Sequence, residues 1–150
     1  MLTYNVNRSN VALSLTNDLL TITAASAKAL RIWAITIGGQ GTLSANNTVG
    51  VYRVGTLGAT ASGAITPTPK NPAFPASGFT VATIWTTQPV VGALVELLSV
   101  NANGGGMRWV ASQPALAIMI PAGATAASQL SIRAVTGTSN VTISMDIEEI

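Results

Sequence analysis

The sequence predicts an all-β protein, a single-domain antiparallel β-sandwich of about eight to ten strands, with the jelly roll as the favoured topology. Short runs rich in valine, isoleucine and threonine recur along the chain, and glycine- or asparagine-rich turns separate them. Between residues 140 and 147 apolar and polar residues alternate, as they do in a half-buried strand. No internal repeat and no shift in composition divides the 150 residues, so one domain over 1–150 is expected.

The strand-like runs can be taken in chain order. They cover residues 11–15, 19–24, 29–37, 48–54, 79–85, 93–100, 107–111, 116–120, 129–135 and 140–147. Residues 90–98 also show apolar residues at helical spacing, but the proline before them and the NANGGG turn after them favour a strand. Residues 1–18 hold one short strand-like run and are interpreted as a candidate N-terminal arm.

A proline-rich segment, TPTPKNPAFPASGF, interrupts the strands and defines a loop at 66–78. Four of the chain's seven prolines lie in it. Proline fixes φ and lacks an N–H donor, so we expect an extended loop that cannot join a sheet. A linker is disfavoured because both flanks are the same kind of β sequence, and the PxxP spacings are common in any proline-rich loop. Phe74 is the apolar anchor within the segment.

Charge is scarce. Charged residues make up 8% of the chain, against about 25% in an ordinary soluble domain. A surface with so few charges and 48% hydrophobic residues favours an oligomer or a part of a larger assembly, in which neighbours cover it. The basic residues are scattered singly, so no nucleic-acid partner is expected. No stretch is apolar enough for a membrane-spanning helix, and the N-terminus lacks the pattern of a signal peptide.

The chain has no cysteine and no histidine, which removes the usual catalytic bases and transition-metal ligands. We therefore expect no enzyme activity, no cofactor and no metal. Asp146 and Glu148 share a strand face and could serve glycoside hydrolysis or calcium binding. The favoured interpretation is a solvated C-terminal strand whose charges protect a sheet edge.

Glu96 lies inside an apolar strand, where a carboxylate is costly unless it is paired or exposed. Arg31 and Arg53 are its predicted partners in a structural ion pair, within or between subunits. The tryptophans also lie in apolar strands, so we expect them in the core or at a subunit interface rather than in an exposed sugar-binding platform. Those tryptophans are Trp33, Trp85 and Trp109.

Two stretches, ITPTPKNPAFPASGFTVATIWTTQP and SVNANGGGMRWVA, resemble small virion proteins of tailed bacteriophages. The most similar are capsid decoration, or cement, proteins with β-sandwich or jelly-roll folds, and the resemblance covers roughly residues 20–150. It implies a homo-oligomer, with a trimer favoured, that binds the major capsid protein on the outer capsid surface after synthesis in the host cytoplasm. The residues expected to contact the capsid or a neighbouring copy are Pro67, Pro69, Lys70, Pro72, Phe74, Pro75, Arg108 and Trp109. The alternative is a tail-fibre or baseplate module that recognises a host-surface glycan.

Overall fold

The computed structural model describes residues 1–150 as strands joined by turns and two single-turn 3-10 helices, Pro114–Leu116 and Ala126–Ser128. The strands are β1 (Leu2–Ala12), β2 (Asp18–Thr23), β3 (Leu30–Gly39), β4 (Asn46–Thr56), β5 (Ala59–Ser62), β6 (Thr68–Pro69), β7 (Thr80–Ala82), β8 (Ile84–Thr87), β9 (Val90–Asn101), β10 (Gly106–Val110), β11 (Ile118–Ile120), β12 (Gln129–Thr136) and β13 (Asn140–Glu149). No helix in the chain is long and apolar enough to cross a membrane.

Two antiparallel sheets form the body of the molecule. Sheet A has the strand order β10-β3-β13-β1-β6, and β11 also pairs with β3. Sheet B has the order β7-β2-β12-β4-β9. Strands β5 and β8 pair only with each other and form a separate two-stranded ribbon.

The order of the long strands is that of a jelly roll. Counted along the chain, the eight longest strands are β1, β2, β3, β4, β9, β10, β12 and β13. Sheet A contains the sixth, third, eighth and first of these, and sheet B contains the second, seventh, fourth and fifth. Successive strands therefore alternate between the sheets, except that β4 and β9 are neighbours in sheet B, as in the two Greek keys of a jelly roll. The predicted all-β sandwich is confirmed.

Period-two alternation builds the core between the sheets. In sheet B, Ile132 of β12 lies opposite Leu20 on one side and Val51 on the other, and all three are fully buried. In sheet A, Ile143 of β13 lies opposite Ile37 of β3, and both are also fully buried. Branched aliphatic side chains on paired strands of each sheet thus fill the core between the two sheets. Their burial supplies the hydrophobic stabilisation of a chain that has no disulfide.

The N-terminal arm predicted for residues 1–18 is wrong. Residues 2–12 form β1, which lies between β13 and β6 in sheet A. Tyr4 and Val6 are fully buried, whereas the intervening Asn5 faces outward and hydrogen bonds to β13. The asparagines have low strand propensity, but they occupy the face where a polar side chain finds partners.

The C-terminal strand does not lie at a sheet edge, contrary to the interpretation of its carboxylates. β13 pairs with β1 on one side and β3 on the other. Glu148 and Glu149 are buried, and each is paired with a basic side chain. The charges of β13 therefore hold elements together rather than protect an edge.

The ribbon covers part of the outer surface of sheet B. The Trp85 indole N–H donates to the buried Thr21 hydroxyl at 3.0 Å, and the Gln88 side chain accepts from the Asp18 backbone at 3.2 Å. Arg133 of β12 donates to the Pro89 carbonyl at 2.9 Å. Residues 85–89 are thus fixed on β2 and β12, and the chain then enters β9, which is a strand as predicted.

Candidate interaction surfaces

Asp146 is the centre of a charged cluster on the outer surface of sheet A. It lies on β13, and its carboxylate is 2.8 Å from the Lys70 ammonium and 3.9 Å from the Arg108 guanidinium. The Asn5 amide donates to it at 3.0 Å. Burial alone would raise the pKa of Asp146, but the hydrogen bonds from Lys70 and Asn5 and the two positive charges outweigh it, so this pKa lies below its usual value.

The cluster joins two segments that lie far apart in the sequence. Lys70 follows β6 in the proline-rich segment, and Arg108 lies on β10 at the opposite side of the sheet. Both side chains remain largely accessible, with 46% of Lys70 and 61% of Arg108 exposed. We define these two residues and Asp146 as the charged face.

A second group of polar side chains continues this surface along β3 and β13. Glu148 accepts from the Arg31 guanidinium at 3.0 Å and from the Trp33 indole N–H at 2.8 Å. The Arg31 guanidinium also lies 5.6 Å from the centre of the Trp33 ring, within the range of a cation–π contact. Trp33 lines a cavity of about 340 Å³ together with Met1, Thr3, Lys70, Asp146 and Ile147.

The predicted ion pair of Glu96 with Arg31 or Arg53 does not form within the chain. Arg31 is engaged by Glu148, and Arg53 donates to the Met119 carbonyl. Burial lowers the pKa of Arg53. Glu96 accepts only from the backbone N–H of Leu97, at 3.0 Å.

The physical reason is strand register, which composition does not reveal. Glu96 lies opposite Val51, and irregularities between Val51 and Val54 shift the pairing before Arg53 is reached. An ion pair of Glu96 with another subunit remains a prediction.

The proline-rich segment joins a sheet edge, so the expectation that it cannot pair is wrong. Pro69 lies opposite Tyr4 and Thr68 lies opposite Asn5, and the Lys70 N–H donates to the Thr3 carbonyl at 2.9 Å. Proline is tolerated at an edge because its missing donor can point to solvent. The segment therefore closes the β1 edge of sheet A.

Further contacts fix the end of the segment on the body. The Tyr4 hydroxyl donates to the Pro75 carbonyl at 3.1 Å, and the Tyr4 ring meets Phe79 edge to face at 5.6 Å. The buried Glu149 accepts from the Gly78 N–H at 2.8 Å and from Lys28 at 2.9 Å. Its hydrogen bond raises the pKa of Lys28, while burial and then the Glu149 charge raise the pKa of Tyr4.

The predicted contact residues therefore differ in accessibility. Pro67 is buried against the body and is not available to a partner, which corrects its assignment. Lys70, Pro72, Pro75 and Arg108 are exposed, while Pro69, Phe74 and Trp109 are half-buried. Trp109 packs against the rim of the core.

An apolar patch lies on β9 at the free edge of sheet B. Its exposed side chains are Val90 at 58%, Leu94 at 50%, Val95 at 37% and Leu97 at 44%. We name these four residues the β9 patch. The sequence ALVELL already indicates this patch. Apolar residues occupy both its odd and its even positions, and so both faces of the strand, whereas a half-buried strand needs them on one face only.

No protein-family model matches the chain, and no curated protein matches it. One similar solved structure comes from a study of an equine rhinitis A virus particle, a picornavirus capsid. It is 11% identical, with a TM-score of 0.29 over 99% of this chain and 67% of that one. Another comes from the T13 IBDV viral particle and is 14% identical, with a TM-score of 0.24 over 99% of this chain and 39% of that one. Both come from viral particles, but at these TM-scores the surfaces described above carry the interpretation.

Proposed function

We propose that the chain is a non-enzymatic virion structural protein, a capsid decoration protein that oligomerises on the outer capsid and stabilises the head by binding the major capsid protein. One observation carries the proposal. The two segments that resemble phage decoration proteins converge on Asp146, so that Lys70 and Arg108 present two cations on one outer surface.

The chemistry of the charged face suits a partner that is folded before it binds. Its side chains are partly accessible and already oriented by Asp146, so little conformational entropy is lost when they dock. The proline-rich segment beside it is fixed to the body through Tyr4 and Glu149, and it presents Pro72 and Pro75 as exposed apolar contacts. A rigid, mixed polar and apolar surface of this kind is typical of contacts between separately folded proteins.

The test measures binding to shells of the virion's major capsid protein from which this chain has been removed. The charge-reversed protein K70E/R108E should bind at least about tenfold more weakly than the wild type, and wild-type binding should weaken as salt increases. The control T42E/S44E adds two carboxylates in the loop before β4 and should bind as the wild type does. Equal binding of K70E/R108E and the control would refute the proposal.

A second readout addresses stabilisation of the head. Shells filled with DNA should release it at a higher temperature when the wild-type protein is bound than when it is absent. K70E/R108E should give no increase at a concentration where the wild type saturates. A bound wild-type protein that leaves the release temperature unchanged would argue against the stabilising role.

One observation keeps the glycan-binding alternative as a second candidate. Trp33 borders the cavity that also contains Lys70 and Asp146, and an indole ring beside a carboxylate is chemistry that can bind a sugar. Glycan-array binding that is lost in W33F would support this candidate. An array without signal, together with shell binding, would exclude it in favour of the decoration role.

A further inference from the structure

We infer that the β9 patch is the surface through which copies of this chain contact one another. The inference deepens the oligomerisation included in the proposed function and rests on it to that extent. The surface is separate from the charged face, because β9 is an edge strand of sheet B whereas Asp146 lies at the centre of sheet A.

The edges of the two sheets differ in how they are protected. β6, β7, β10 and β11 are edge strands of two to five residues, and β10 carries Arg108. β9 is a twelve-residue edge strand that contains neither proline nor a basic residue. Proteins ordinarily shorten or charge such edges to prevent association, so an apolar edge left open indicates a surface that another chain covers.

The geometry of β9 favours packing through side chains. Three irregularities in its pairing with β4 bend the strand, and residues 92–95 are exposed on both faces. Leu97 lies opposite Gly50, where the Tyr52 ring occupies the space beside the glycine. Tyr52, Leu94 and Leu97 thus form a continuous apolar surface on the outside of sheet B, beyond the part covered by the ribbon.

The area fits a contact between copies. A half-exposed valine or leucine offers on the order of 80 Å² of apolar surface, so the four side chains supply about 320 Å². A standard interface covers about 800 Å² on each partner, and about 65% of it is apolar when the partners are identical chains. The β9 patch therefore supplies most of the apolar area that such an interface requires.

The charge distribution favours another copy over the capsid lattice as the occupant. The only charged residue on β9 is Glu96, and its carboxylate is already hydrogen bonded to the Leu97 backbone. Contacts between identical subunits have apolar centres depleted in charge, whereas contacts formed by separately folded partners are about as polar as the remaining surface. The charged face has the second character and the β9 patch has the first.

Sedimentation velocity over a concentration series tests the inference on the full chain. The wild type should sediment as an oligomer, and L94E/L97E should raise the dissociation constant at least about 100-fold. The control L43E/L116E makes the same chemical change at two leucines that are 79% and 56% exposed elsewhere, and it should sediment as the wild type does. A monomeric wild type, or an oligomer unaffected by L94E/L97E, would overturn the inference.

Cross-linking provides a second measurement if L94E/L97E does not fold. The chain has no cysteine, so a single substitution reports proximity without background. V95C that carries a thiol-reactive benzophenone should cross-link to a second copy on illumination, and L43C that carries the same group should not. Equal cross-linking of the two would contradict the inference.

The two proposals fail in different ways. Shell binding by a wild type that remains monomeric would overturn this inference alone. An oligomer that does not bind shells would overturn the proposed function alone.

Discussion

Replacing Arg133 by methionine should destabilise the fold more than removal of any other cation. The guanidinium contacts the Asp18 carboxylate at 2.7 Å and donates to the Pro89 carbonyl at 2.9 Å. The Asp18 side chain is fully buried, and its other side-chain partner is the Thr21 hydroxyl at 2.6 Å. R133M would leave a buried carboxylate without a counter-charge, which costs about 3–5 kcal/mol of unfolding free energy. For a chain of this length the melting temperature should fall by about 6–20 °C.

Urea unfolding followed by tryptophan fluorescence measures this cost, and a double-mutant cycle assigns it to the pair. D18N removes the buried charge, so D18N/R133M should recover at least about 1.5 kcal/mol relative to R133M alone. R108M is the matched control, because its cation is 61% exposed and should contribute less than about 1 kcal/mol. A cost below about 1 kcal/mol for R133M, or no recovery in the double mutant, would refute the reasoning.

Two further predictions concern a turn and a surface carboxylate. Gly137 has φ +87°, and a Cβ there would overlap the buried Asn47 side chain, so G137A should lower the unfolding free energy by about 2–4 kcal/mol. Gly104 has φ +76° with open space around it, so G104A should cost only about 1 kcal/mol in the same urea experiment; equal costs would contradict this account. The pKa of Asp146 is lower in the folded state than in the unfolded state, where it is about 3.9. Its pairing with Lys70 therefore stabilises the fold above about pH 3.9, and this contribution is lost as pH falls through the folded-state pKa. The stability difference between wild type and D146N should be under about 1 kcal/mol, because the Lys70 side chain is 46% exposed. It should be constant above about pH 5 and shrink as pH falls below about 4; a difference that grows with acid would exclude this pairing.

The sequence predicted the fold class because alternation and turn chemistry are local signals. β12 and β13 show this best, since Ile132 and Ile143 occupy the inward positions that their alternation required. β1 was not predicted, although Tyr4 and Val6 alternate with outward polar residues in the same way. The low strand propensity of asparagine outweighed that pattern, because propensity ignores partners that only the folded sheet supplies.

The ion pairs could not be predicted, because they depend on register. Glu96 and Arg53 lie on neighbouring strands as expected, yet bulges in β4 and β9 separate them. Glu148 and Arg31 are directly opposite each other across β13 and β3, a pairing that requires knowledge of which strands are neighbours. The contact role of Lys70 and Arg108 stays a prediction from the sequence, which gave no indication that Asp146 joins them.

The structure changes what the scarcity of charge implies. Every charged side chain takes part in an ion pair or hydrogen bond within the chain, and the three outside ion pairs bond to backbone groups. Those three are Arg8, Arg53 and Glu96. The few charges therefore have internal roles in joining strands and loops, and their low number alone does not require that neighbours cover the surface.

What indicates a neighbour is the position of the apolar residues that remain exposed. Four of the thirteen exposed large apolar side chains lie on one long edge strand, at Val90, Leu94, Val95 and Leu97, and the other sheet edges are short. The location of the apolar surface on β9, rather than the composition of the chain, therefore favours oligomerisation, and L94E/L97E tests it at that location.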